Sequence, residues 1–222
     1  MISREEPEDG MYIYSTSVRP GVANPVTVVD WATRMTDKLN QISEVRVGLW
    51  TSVMSPAVGA LAWSAVVPDL GIIEDTESKL AVDPGYMALV DEAAVLLSTS
   101  QPADQMLMRV VHGDPDAERT VAHYASTVRA ALGPGSMRAG IEVGAELAQK
   151  AKAVTGRPTS FAVGVTGDYG AVMWVSLAET IQELQAANEA LDADEEFSKL
   201  VDREGSKVFL PGATTTIARK LA

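Results

Sequence analysis

The chain has 222 residues, no cysteine and a formal net charge of −12. Without cysteine it has neither disulfides nor thiolate metal sites. The acidic balance, with Lys and Arg scattered along the chain, excludes the basic face that nucleic acid or an anionic membrane requires. No apolar run approaches the roughly 18 residues of a membrane span. Residues 1–10 carry Glu5, Glu6, Glu8 and Asp9 and read as a loose acidic tail, the opposite of an export signal, so a cytoplasmic location is the expectation.

Met11 to Arg19 is rich in β-branched and aromatic residues and predicts a strand, closed by Pro20-Gly21. Asn24-Pro25 supplies a helix cap and a first-turn proline. Val28, Ala32, Met35, Leu39 and Ile42 then recur at helical spacing, which predicts a helix to about Ser43. Glu44 to Ser52 alternates and reads as a strand, with Val45, Val47 and Leu49 on one face and Trp50 on the other. Gly59 to Val67 returns as its hairpin partner. A short helix is expected over Glu74 to Ala81, a second from the Asp83-Pro84 cap through Leu97, and a strand over Gln105 to His112.

The same order follows again. Val121 to Arg129 predicts a strand, and Ser136 to Thr155 a helix stopped by Gly156 and Pro158. Phe161 to Thr166 and Gly170 to Ser176 form a hairpin, Ala178 to Leu191 and Asp194 to Glu204 are helices, and Ala213 to Leu221 is the last strand.

The repetition extends to residues. Gly59-Ala60-Leu61-Ala62-Trp63 matches Gly170-Ala171-Val172-Met173-Trp174 at an offset of 111, Gly59 to Gly170. Asp83 and Asp194, both proposed caps, stand at the same offset, as do Leu89-Val90-Asp91 and Leu200-Val201-Asp202. The pattern Y-x-[ST]-x-V-R begins at Tyr14 and at Tyr124, ending on Arg19 and Arg129, an offset of 110. Val47-Gly48 matches Val163-Gly164 at 116. The chain therefore reads as one unit written twice: a first repeat over 11–112, a linker over 113–118 and a second repeat over 119–222.

Each repeat reads β-α-β-β-α-β, the ferredoxin-like unit, an α+β class with helices on one face of an antiparallel sheet. The bare face must be covered, and two units can cover each other. In this element order and duplication the chain resembles the dimeric α/β-barrel superfamily, fused in tandem, and the resemblance spans roughly residues 11 to 221. It implies an intrachain barrel with helices outside. The superfamily includes antibiotic-biosynthesis monooxygenases that need no cofactor, polyketide cyclases, muconolactone isomerases, haem-degrading and chlorite dismutase-like haem proteins, and members with no known catalysis. In many, a small apolar ligand lies between one sheet and its helices.

Of the two histidines, His112 ends a strand and His123 begins one. The haem-binding members place the ligand on a helix, and no predicted helix here holds a histidine, which counts against haem. His123 is the best general-base candidate, with an ordinary strand histidine as the bland alternative. Tyr124 could donate a proton, and Arg129 and Arg19 could clamp an anion or enolate, or simply end two solvated strands. Trp174, Trp63, Trp50, Tyr14 and Met108 could line a pocket for a planar ligand, or could equally be core. In the monooxygenases of the superfamily tryptophan, asparagine and tyrosine polarise a phenolic substrate, and no asparagine aligns here by sequence. No metal spacing, phosphate loop or nucleophile elbow occurs.

The expectation is a binder of a small, largely apolar, aromatic or polyketide-like molecule, converted without cofactor by a monooxygenase or cyclase reaction. A non-catalytic barrel, serving as a carrier or in stress or assembly, is the rival, and a haem protein the third reading. With its pseudo-dimer built in, a monomer can close the barrel, and homodimerisation through the helices stays open. If there is one active pocket, His123 places it in the second half.

Overall fold

The computed structural model describes residues 10–98, 101, 103–116 and 121–222. The expected tail over 1–9, the break at Pro102 and the linker positions 117 and 118 lie outside the described residues. The first half runs β1 (Tyr12–Val18), α1 (Pro25–Ile42), β2 (Gly48–Met54), β3 (Leu61–Val67), α2 (Leu70–Leu80), α3 (Pro84–Leu96) and β4 (Asp104–His112). The second runs β5 (Tyr124–Ala131), α4 (Met137–Thr155), β6 (Thr159–Gly164), β7 (Ala171–Ala178), α5 (Ile181–Ala193), α6 (Glu195–Leu200), a π-helical turn (Val201–Gly205), α7 (Ser206–Val208) and β8 (Thr214–Lys220).

The strands close into one barrel in the order β1-β3-β2-β8-β5-β7-β6-β4, every pair antiparallel. Cut at the β2–β8 and β4–β6 seams, it yields β4-β1-β3-β2 and β8-β5-β7-β6, one ferredoxin-like order twice. Each half lends its last strand to the edge of the other, so no sheet edge is left to template aggregation. Side chains alternate across the sheet. Ile13, Met108, Val110, Ala162 and Met173 cluster inside the barrel around the β4–β6 seam, and Trp50, Ala122, Ala125 and Leu177 around the β2–β8 seam.

The outer face of each half carries its helices, and the two halves use different sides of the contact to fill it. On the first half the helix supplies the bulk. Trp31 of α1 packs edge-on against Trp63 with ring centroids 5.6 Å apart. The Trp63 indole N–H donates to Thr36 Oγ1 at 2.9 Å, and the Trp31 N–H to Leu89 O at 2.9 Å. On the second half the strand supplies it. Phe161 of β6 is fully buried and reaches α4 at Gly144, whose carbonyl accepts the Trp174 N–H at 2.9 Å. A Cβ on Gly144 would overlap the Phe161 ring.

The register corrects part of the repeat. Trp63 faces Thr16 across β3–β1, and Trp174 faces Val128 across β7–β5. Thr16 therefore corresponds to Val128, an offset of 112. Tyr14 corresponds to Ser126, and the counterpart of Tyr124 is Tyr12. The Y-x-[ST]-x-V-R match slips by two residues. Because two is the side-chain period of a strand, the slip keeps every residue on its proper face. Gly48 likewise corresponds to Ser160, not Gly164, since they face Ser64 and Val175. Val121 and His123 precede β5, which begins at Tyr124. The helix expected from Glu74 starts earlier, at Leu70, because Asp69 caps it through Gly71 N. The expected helix over 194–204 is instead α6, a π turn and α7.

The proposed caps are symmetric in fact. Asp83 accepts from Tyr86 N at 2.7 Å and pairs with Lys38 of α1 at 3.3 Å. Asp194 accepts from Phe197 N at 2.7 Å and pairs with Lys150 of α4 at 3.1 Å. Each latches the second layer of helices to the first. In both, the backbone N–H of the capped turn, then the lysine, holds the carboxyl below its ordinary value of 3.8. A depressed folded value contributes stability above the unfolded value and loses it as pH falls through the folded one.

Two outcomes follow. Urea unfolding of Gly144→Ala should show a loss of about 1–3 kcal/mol from overpacking, partly restored by adding Phe161→Leu. The urea midpoint of the natural chain should drop between pH 5 and pH 3, and the Asp83→Asn/Asp194→Asn double variant should show a shallower drop, because asparagine still caps but does not titrate.

Candidate functional site

Each half holds a cavity between the outer face of its sheet and its helices. The first, about 330 Å³, is walled by β1 and β3, by α1, and by α2 and α3. The second, about 570 Å³, is walled by β5 and β7, by α4 and α5, and by the π turn with the segment that follows it. Their linings correspond position by position. Ile73, Thr76, Glu77, Leu80, Tyr86 and Val90 line the first. Leu184, Ala187, Asn188, Leu191, Phe197 and Val201 line the second, each at an offset of 111, Ile73 to Leu184. The duplication thus carries a pocket with it, and the side chains inside have diverged.

The second cavity is the larger because its outer wall is irregular. Where α3 is a regular helix, the second half has a π turn at Val201–Gly205, and Val201, Asp202 and Gly205 all face the cavity. Such turns insert a residue into the helical ladder and are frequent at functional sites. The remaining wall is apolar, built by Trp174, Leu147, Phe197 and Phe209 among others. Among the described residues that line it the one cation is Arg157, whose Nη1 donates to Leu177 O at 3.2 Å and whose Nη2 pairs with Glu183 Oε2 at 2.6 Å. Burial disfavours the Glu183 carboxylate, but the N–H groups of Thr180 and Glu179, together with Arg157, outweigh it and hold its pKa low. Arg157 is thereby fixed at the cavity wall. Thr159 and Ser176 share a hydrogen bond of 3.0 Å beside it, and Asn188 and Ser126 add an amide and a hydroxyl.

The first cavity has different polar groups. Tyr14 donates to Glu77 Oε1 at 3.0 Å and accepts from Gln105 Nε2 at 3.1 Å. Burial, then the Glu77 carboxylate, raises the Tyr14 phenol above its ordinary value and keeps it a neutral donor. Tyr86 is raised by burial and then by the charge of Glu77.

The residues singled out by sequence fall at several places: Tyr14 and Trp63 share one cavity, Met108 and Arg129 line a third of about 360 Å³ at the barrel mouth, and the rest are dispersed. Trp63 and Tyr14 line the first cavity and Trp174 the second. The tryptophan N–H groups already donate within the fold, so the indoles offer rings and not donors. Trp50 and Met108 are buried inside the barrel. His123 is exposed ahead of β5, and neither it nor Tyr124 lines either cavity; the counterpart of His123 in the first half is Met11. Arg129 is exposed at the barrel mouth beside Asp168 and Thr214, and Arg19 is exposed after β1. Glu77, Arg157 and Asn188 were missed. Arg157 sits between Gly156 and Pro158, where the sequence reads only as a helix stop. Asn188 could have been found by extending the 111 offset from Glu77.

No family model matches the chain, and no curated protein matches its sequence. Solved structures match over nearly its whole length. A candidate monooxygenase from Fusobacterium nucleatum superposes with a TM-score of 0.69, covering 97% of this chain and 94% of its own at 6% identity. An anthrone oxidase-like protein gives 0.67, 98% and 94% at 12% identity. A candidate chlorite dismutase gives 0.58, 96% and 96% at 8% identity. The chain has the dimeric α/β-barrel fold. It carries both barrel halves in one polypeptide, as the element order implies.

The chlorite dismutase likeness makes haem a test for the residues. A haem iron is held by His, Cys, Met or Tyr. The larger cavity has none of these in its lining, and no histidine lines the smaller one. The larger cavity therefore offers no ligand for a haem iron, while the smaller one holds Tyr14, Tyr86 and Met35 in its lining. Among the described residues no cluster of His, Asp and Glu suits a metal ion, and no helix is long and apolar enough to cross a membrane.

Proposed function

We propose that the second-half cavity binds a small, largely apolar, aromatic or polyketide-like molecule and promotes its oxidation or cyclisation without a cofactor. The observation that carries this reading is the cavity itself, about 570 Å³ of mainly apolar wall with one fixed guanidinium. A pocket of that size and character suits a molecule of two or three fused rings. Acidic phenols and anthrones carry their own reactivity, since their carbanions meet dioxygen directly. The protein then needs only to exclude water, orient the ring and stabilise the anion.

The roles divide as follows. Trp174 and Phe197 give the ring system an aromatic wall. Arg157, half-buried in the cavity wall, favours ionisation of an acidic substrate. Asn188 and Ser126 orient its oxygens. For an anthrone the balance is complete: the ring methylene becomes a carbonyl, one atom of dioxygen enters it, and the other leaves as water. His123, Tyr124 and Arg129 take no part in this version, because they stand outside the cavity. A second reading, binding without turnover, is favoured by the pairing of Arg157 with Glu183, which offsets the cation's pull on a ligand.

Oxygen uptake with anthrone as probe, no cofactor added, should exceed the buffer rate and fall about tenfold or more in Ala187→Phe, which fills the cavity. Native mass spectrometry of the protein from its own cells should release an apolar molecule on denaturation. Uptake equal to buffer with a released ligand favours the second reading, and uptake equal to buffer with a clean apo mass contradicts both.

A further inference from the structure

The first-half cavity differs in charge from its twin. Glu77 is the only charged side chain among the described residues that line it. Its counterpart across the repeat is the neutral Asn188, and the hydrogen-bonded partners Tyr14 and Gln105 correspond to Ser126 and Thr215. The whole Gln105–Tyr14–Glu77 chain is thus peculiar to the first half.

That chain orients the carboxylate. Gln105 donates to the Tyr14 oxygen, and Tyr14 donates to Glu77 Oε1. Among the described residues no hydrogen bond or ion pair reaches Glu77 Oε2. Two cations on the helices around the cavity are engaged elsewhere: Lys79 of α2 with Asp75 and Glu44, and Lys38 of α1 with Asp83. The remaining walls are the aromatic faces of Trp31, Trp63 and Tyr86 with aliphatic Met35, Leu80 and Val90. A negative charge at one end of an aromatic, apolar pocket selects a complementary ligand. Glu77 is exposed at the open end of the cavity and stays hydrated, so a carboxylate or phosphate would be repelled there and a neutral molecule would gain nothing from the charge. An ammonium group gains the charge-assisted bond, and the aromatic faces attract it further.

We propose that the first-half cavity is a second ligand site, specific for a small organic ammonium ion whose apolar body fills the pocket and whose charged nitrogen pairs with Glu77. The cavity volume of about 330 Å³ sets the size, one ring with a short aminoalkyl arm. This site is independent of the reading of the second-half cavity.

Three probes share one skeleton and differ in charge: phenethylamine, 2-phenylethanol and phenylacetate. Calorimetric titration of the full chain at neutral pH, with tryptophan fluorescence as a parallel readout, should show phenethylamine binding about ten- to a hundredfold tighter than the alcohol. Phenylacetate should not bind. Glu77→Gln should abolish the preference for the amine. Tyr14→Phe should keep it, since the charge remains, and serves if Glu77→Gln fails to fold by circular dichroism. Asn188→Leu, in the other cavity, should leave amine affinity unchanged. Equal affinity for amine and alcohol, undiminished amine binding in a folded Glu77→Gln chain, loss of the preference in Tyr14→Phe, or no saturable amine binding at all would overturn the proposal. So would a loss of amine binding in Asn188→Leu, which would place the amine in the second-half cavity.

Discussion

Two seams hold this molecule together. A four-stranded ferredoxin-like sheet covered by helices on one side has a bare apolar face and two open edges. Pairing β2 with β8 and β4 with β6 removes all four edges of the two halves at once and turns both bare faces inward. The interior is then filled from both halves, with Ile13 and Met108 packed against Ala162 and Met173. The two helix-covered cavities lie outside this closed cylinder, between its outer face and the helices.

That arrangement separates stability from recognition. The barrel wall and the Lys–Asp latches are kept in both halves, while the cavity linings have changed. At the six lining positions that correspond at the 111 offset, the first half keeps a carboxylate and a tyrosine where the second has an amide and a phenylalanine. The π turn after α6 enlarges the second cavity without altering the barrel. A homodimer must carry two identical pockets, whereas a fused chain is free to make them chemically distinct. Glu77 in one and Arg157 in the other are the outcome.

Much of the fold was legible because its signals are local. Asn24-Pro25, Asp83-Pro84, Asp194 and Gly156 each do at a helix end what their residue types predict. Alternation in β2 put Trp50 and Leu49 on opposite faces, and they lie in the barrel and under α1 respectively. The register was less legible. Tyr14 and Tyr124 matched by identity although Tyr12 is the true counterpart, because a shift of two residues leaves the face pattern unchanged. The sites were scarcely legible, because a cavity depends on which elements converge. His123 drew attention by its chemistry alone, while Arg157 and Glu77, ordinary charged residues in sequence, acquire their character from what packs around them. Gly144 reads as an ordinary helix glycine in sequence; its need to lack a Cβ comes from Phe161, a strand residue that fills that space.

The most direct test of the account is the behaviour of the separated halves, residues 1–113 and 114–222, by analytical ultracentrifugation and urea unfolding. If the seams are what the structure depends on, neither half is a stable monomer, each self-associates or stays unfolded, and mixing gives a 1:1 complex that unfolds in one cooperative transition. Two halves that are each monomeric, folded and cooperative on their own would contradict it.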